Sequence, residues 1–192
     1  MVDLTSVIIN QALKDEKNLE VAFETWRAFS SQRIYNQICE NFVTNLKDRI
    51  NHEINTKFNS LVKTENWDDK SNSFKINISI SFKNVNWSDD FKISIADYDS
   101  SRLHFGVTFK NDNHNFCKKI YNLLQKNLNS GTYNEWNWWL NAKNPYNTWE
   151  NNYESFKQFA FCDKMALDYF SDNFCQIIET IDKIMNDLHN IQ

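Results

Sequence analysis

Three places in the sequence set a carboxylate two residues before a lysine: Asp15 with Lys17, Asp68 with Lys70, and Asp90 with Lys92. That fragment is part of one kind of metal-dependent nuclease centre, in which carboxylates hold a divalent cation and a lysine two residues along the same strand completes the site. With 25 acidic side chains among 192 residues, chance alone produces about two such pairs, so finding three says nothing. Only Asp90 and Lys92 border a run that alternates like a strand, with Asp68 and Asp69 upstream as further carboxylates. A divergent nuclease built on Asp68, Asp90 and Lys92 is therefore the weakest functional reading. His114 and Cys117, three apart, make half of a metal site without a second half, and read better as a surface histidine beside a buried thiol. There is no HExxH and no GxSxG, and two glycines can hardly build a phosphate-cradling loop. These residues point to neither a catalytic centre nor a cofactor, and so to binding.

Two groups of side chains suit binding. Along the alternating runs described below, Lys75, Lys83, Lys92 and Lys110 fall in the polar register with Asn77, Ser79, Ser81, Ser94, His104 and Thr108, and no carboxylate shares it. An acid-free lysine face fits phosphate or an acidic protein surface; lysines near strand ends also guard against edge-to-edge aggregation. The second group is aromatic: Trp136, Trp138, Trp139, Tyr146 and Trp149 lie close together in the chain. Exposed members would anchor a protein interface, and buried ones would cap the core. Stacking on unpaired bases has less support, since Lys143 is the only cation nearby in sequence to meet phosphate. The end of the chain is acidic, with Asp168, Asp172, Glu179 and Asp182 along one side of a helix, which is a solvated face or a mimic of nucleic acid.

The elements that must carry these residues follow from periodicity. From Asn18 to about Ser60 apolar residues recur every four: Ile34, Ile38, Phe42, Leu46, Ile50, Ile54 and Phe58. Such a stripe drifts about 40° per step around a helix of 3.6 residues per turn. The segment must then bend or break, near Asn51 to Asn55, or pack its two ends on different neighbours. Between Phe74 and Lys83 the period becomes two, and it is two again over Phe91 to Ala96 and Leu103 to Lys110. Short connections make these an antiparallel meander with one face on helices and the other in water. A helix with Phe116, Ile120, Leu124 and Leu128 follows, with Gly131 placed to end it, and Tyr133 to Trp149 reads as irregular. The last helix runs from about Lys164 to His189, its apolar stripe broad enough to lie in a core rather than a coiled coil.

The expected architecture is a single α+β domain: a helical part over 1–62, a β-meander of three or more strands over 73–110, and a helical part over 114–192 that includes the aromatic loop 133–149. Aromatic residues at 15% exclude a disordered chain, although the mean hydropathy is −0.65. Asparagine occurs 29 times and Gly only twice, so asparagine is expected to supply most left-handed turn conformations. The four cysteines are scattered, as in buried reduced thiols. No leader-like or membrane-spanning stretch is visible, which fits the cytoplasm.

The stretch Asn18-Leu19-Glu20-Val21-Ala22 before a long helix with Phe42 and Leu46, the run Leu103-His104-Phe105-Gly106-Val107, the cluster Trp136-Asn137-Trp138-Trp139, Trp149 and the Ile-rich final helix resemble, in that order, the C-terminal half of a family within the PD-(D/E)XK nuclease superfamily. The resemblance spans about Asn18 to His189. It implies a non-catalytic accessory domain, because that family keeps its catalytic carboxylates and lysine in the other half. A domain of this kind also looks like the small proteins that mobile elements direct against bacterial defence, above all anti-CRISPR proteins that bind an RNA-guided nuclease, including RNA-targeting type VI effectors. The implied partner is a host nuclease or a nuclease-RNA complex, with RNA contact through the lysine face. The alternative is the recognition half of a split restriction-like nuclease.

Overall fold

The computed structural model describes residues 4–29, 32–58, 62–69, 77–84, 87, 91–97, 103–110, 114–128 and 138–189. Three helices come first, α1 (Leu4–Ala12), α2 (Glu16–Phe29) and α3 (Gln32–Lys57). Asp15 starts α2: its carboxylate accepts the Asn18 backbone N–H at 2.8 Å and the Asn18 side-chain amide at 2.8 Å. One of the three acid-x-lysine pairs is thus a helix cap, satisfying an N–H that the first turn leaves without a partner.

The sheet has five strands in the order β1-β2-β3-β4-β5, every neighbouring pair antiparallel. Strands β2 (Asn77–Asn84), β3 (Phe91–Asp97) and β4 (Leu103–Phe109) are the expected meander; Phe74, Lys75 and Ile76 lie outside the described residues. Two strands were not expected. β1 (Val62–Asp69) extends the sheet beyond β2, and β5 (Trp138–Asn141) forms inside the segment read as irregular. The meander therefore spans more than 73–110 and draws in both flanking parts of the chain.

One face of the sheet is apolar. Ile80, Phe82, Phe91, Ile93, Ile95, Leu103, Phe105, Val107 and Phe109 are all buried there, each such side chain stabilising the fold by about 1.5–3 kcal/mol. The Phe105 ring packs against Tyr169, Phe170 and Phe174 of α6 (Lys164–His189), with centroids 6.2, 5.7 and 5.9 Å away. Phe109 meets Phe116 of α4 (His114–Leu128) edge-on at 6.3 Å. On α6, Phe170, Phe174, Ile177, Ile178, Ile181, Ile184 and Met185 are buried, so its stripe lies in the protein's own core.

Helix α3 is unbroken, and its winding stripe is resolved by its neighbours. Phe42 packs against Phe159 of α5 (Tyr153–Ala160) at 4.3 Å and Phe170 of α6 at 5.8 Å, while two turns on Arg49 bonds Asp168 of α6 at 2.9 Å. Ile38, Leu46, Ile50 and Ile54 are buried with Phe42 in one continuous core.

The turn from α5 to α6 has a specific local cause. Asp163 N–H donates to the Gln158 carbonyl at 2.8 Å and Cys162 N–H to the Phe159 carbonyl at 3.2 Å, closing α5 with the paired bonds of a Schellman motif. Cys162 takes the left-handed conformation at φ 50. Asp163 then caps α6, accepting the Met165 N–H at 2.7 Å. Among the described residues Cys162 is the one non-glycine with positive φ; the connections of the meander, where the turn-forming asparagines are expected, lie, Trp87 apart, outside the described residues. Within the helices Asn45, Asn127 and Asn173 each donate to the carbonyl four residues earlier.

Candidate functional site

The strand register defines the polar face as rows running across the sheet. Lys63 of β1 stands opposite Lys83 of β2. In the next row Glu65, Ser81, Lys92 and Thr108 are successive partners, and in the third Asp68, Ser79, Ser94, Gly106 and Trp139 cross all five strands. The fourth holds Asn77, Ala96, His104 and Asn141. Lys110 follows β4 directly, in the same alternation as Thr108 and level with the first row. With strands about 4.8 Å apart and a rise of about 3.4 Å per residue, the backbone positions of Lys63, Lys83, Lys92 and Lys110 fall in a patch about 15 Å by 7 Å.

This arrangement corrects the sequence reading in three ways. The lysines gather at one end of the face, and Lys63, which was not expected, joins Lys83, Lys92 and Lys110; Lys75 lies outside the described residues. The polar register is not free of acid, because β1 brings in Glu65 and Asp68. And the face is only partly open. Ser79, Ser94, Ala96 and His104 are buried, Ser79 to 2% exposure, since small side chains amid a five-stranded sheet sit below their larger neighbours. Lys92, Ser81 and Thr108 are partly exposed and Lys110 is exposed. The accessible positions whose exposure is described are thus Ser81, Lys92, Thr108 and Lys110 at the lysine end, and Trp139 and Asn141 on β5.

The tryptophans separate by alternation. Trp138 pairs with Val107 on the apolar face and is completely buried, whereas Trp139 pairs with Gly106 on the polar face and keeps part of its surface exposed. Adjacent residues of a strand cannot share a face. The Trp139 ring meets buried His104 edge-on, centroids 5.5 Å apart and planes at 62°. Trp149, on a short 3-10 helix (Tyr146–Asn151), is buried 5.1 Å from Phe159. Tyr146 is buried as well, its hydroxyl donating to Gln158 at 2.6 Å. Trp138 and Trp149 are therefore core residues and not contacts for a partner, and Trp136 lies outside the described residues.

The acidic side of α6 is partly neutralised. Asp168 accepts from Lys164 and from Arg49, each at 2.9 Å, and the Lys164 hydrogen bond, followed by the charges of Lys164 and Arg49, holds its carboxyl below the usual range. Cys117 and Cys175 are buried and in no disulfide, and burial pushes the Cys175 thiol up to about 11. Among the described residues no three His, Cys, Asp or Glu side chains gather as a metal site. Asp90 and Lys70 lie outside the described residues, and Lys92 has Ser81 and Thr108 as its strand partners. No helix among the described residues is long and apolar enough to cross a membrane.

No family model matches the chain, and neither a curated protein nor a solved structure is similar to it.

Proposed function

We propose that this chain is a non-catalytic binding protein whose lysine end docks on a polyanionic surface. Its partner is a host RNA-guided nuclease or nuclease-RNA complex, which the chain inhibits in the cytoplasm in the manner of an anti-CRISPR protein. The observation that carries the reading is the register pairing of Lys63 with Lys83, beside Lys92 and Lys110. Four lysine positions brought to one end of the sheet by the backbone register favour a phosphate-bearing ligand by charge. The partner's identity rests on the resemblance described for the sequence, and the binding face rests on the register.

Pull-down of the RNA-loaded nuclease at two ionic strengths tests this reading. Retention should fall steeply with salt, and a variant with Lys63, Lys83, Lys92 and Lys110 all changed to Glu should lose retention while keeping its circular dichroism spectrum. Salt-insensitive retention that survives the fourfold reversal would remove this face from the function.

A further inference from the structure

Building on the reading of the lysine end as a polyanion site, we infer that the face takes a single-stranded polynucleotide, with one unpaired base stacked on the Trp139 ring and its phosphates led over β4 and β3 to Lys110 and Lys92. In sequence Trp139 has only Lys143 nearby. In the sheet it stands two strands and two residues from Lys92 and one strand and four residues from Lys110, about 12 Å and about 14 Å between backbone positions. A few nucleotides of extended strand cover that distance, and lysine side chains shorten it further.

Three observations favour an unpaired strand over other polyanions. Of the tryptophans whose side chains are described, Trp87, Trp138 and Trp149 are buried and Trp139 alone keeps exposed surface. Its ring packs edge-on against buried His104 at 5.5 Å, a contact that restrains it, and aromatic platforms stack bases whatever their identity. The positions between the ring and the two lysines are Gly106, Ser94 and Thr108, small and uncharged, so nothing bulky or acidic interrupts a backbone laid across them. Among the described residues the carboxylates of the polar register, Glu65 and Asp68, are on β1 at the opposite edge. A duplex hides its base faces within its own stack and cannot use the ring.

The test is fluorescence anisotropy of the full-length chain with labelled ten-nucleotide uridine and thymidine strands and with a duplex of equal length, at two salt concentrations. Either single strand should bind, with salt dependence, and the duplex should bind at least about 10-fold more weakly. Trp139→Ala should weaken single-strand binding by about 5-fold to 100-fold with the salt slope kept, and Trp139→Phe should retain most of it. Changing Lys92 and Lys110 to Glu should instead flatten the slope. Should Trp139→Ala fail to fold, crosslinking of a 4-thiouridine strand to the unaltered chain decides: label in the peptide carrying Trp139 supports the inference, and label elsewhere overturns it. Absence of single-strand binding, or equal affinity of a folded Trp139→Ala variant, also overturns it. If the chain then still captures the nuclease complex in a salt-dependent way, the polyanion reading stands without the stacked base; if capture is salt-insensitive too, both fall.

Discussion

On the helices, Lys157 lies 2.7 Å from Glu16 and 3.0 Å from Glu154, Lys164 is 2.9 Å from Asp168, Lys57 is 3.3 Å from Glu53, and Arg49 bridges Glu53 and Asp168. At the lysine end of the sheet, Lys92 and Lys110 have no such partner among the described residues, and Lys63 and Lys83 are partners in the backbone register. The first arrangement ties α2 to α5 and α3 to α6. Each exposed bridge contributes only about 0–1 kcal/mol, and each sets a cation against an anion. This contrast distinguishes the bridged helices from the face proposed to meet a polyanion.

The contrast is sharpened most by Phe42→Ala. Phe42 joins α3 to Phe159 and Phe170, and its truncation should cost about 3–5 kcal/mol of stability in urea melts. A loss below about 1 kcal/mol would mean that this junction is not the core. Reversal of the four sheet lysines should act the other way round, weakening the polyanion contact at least about 100-fold while moving the urea midpoint little. A large fall in stability would show that those lysines support the fold after all.

Asp168→Asn probes the helical bridges through pH. The folded carboxyl has a lowered pKa, so its stabilising contribution is present above the ordinary value of about 3.9 and disappears as pH falls through the lower folded value. The variant should be less stable at pH 7 by about 1 kcal/mol or less, given the partial exposure of the site. The deficit against the parent should vanish at low pH, and a deficit constant with pH would exclude the bridge as its cause. The smallest effect concerns the α5–α6 turn, where a side chain occupies the left-handed region. Cys162→Gly should stabilise by about 0.5 kcal/mol, the relief of about 1 kcal/mol being partly offset by glycine's greater entropy when unfolded and by loss of the Asn45 contact to Sγ at 3.3 Å. A destabilised variant would show that this contact outweighs the backbone strain.

The long periodic elements were legible in the sequence. α6 runs from Lys164 to His189 as its stripe predicts, and β2, β3, β4 and α4 form where their alternation or 3-4 spacing places them. Short elements were not. β5 has four residues, too few to display a period, and the aromatic run around it looked irregular. β1 combines Lys63, Glu65, Asp68 and Asp69 with a register shift between Glu65 and Asp68, so its alternation is broken where it would be read. The candidate site suffered most from these two omissions. The acid-free lysine face was read without β1 and its Glu65 and Asp68, and which tryptophans are exposed and which buried could not be read from their closeness in the chain.

What the sequence determined by itself is which faces are apolar, since a period of two or of 3.6 assigns each side chain to a side without knowledge of any partner. It could not determine which strands adjoin, and adjacency is what creates a site. Trp139 and Lys92 are 47 positions apart in the chain and reach the same few rows of the sheet only because β4 pairs with β3 on one side and β5 on the other. The same pairing sends Trp138 into the core and leaves Trp139 at the surface, a division that local propensity cannot make between two identical residues and that the sheet makes through the direction of its pleat.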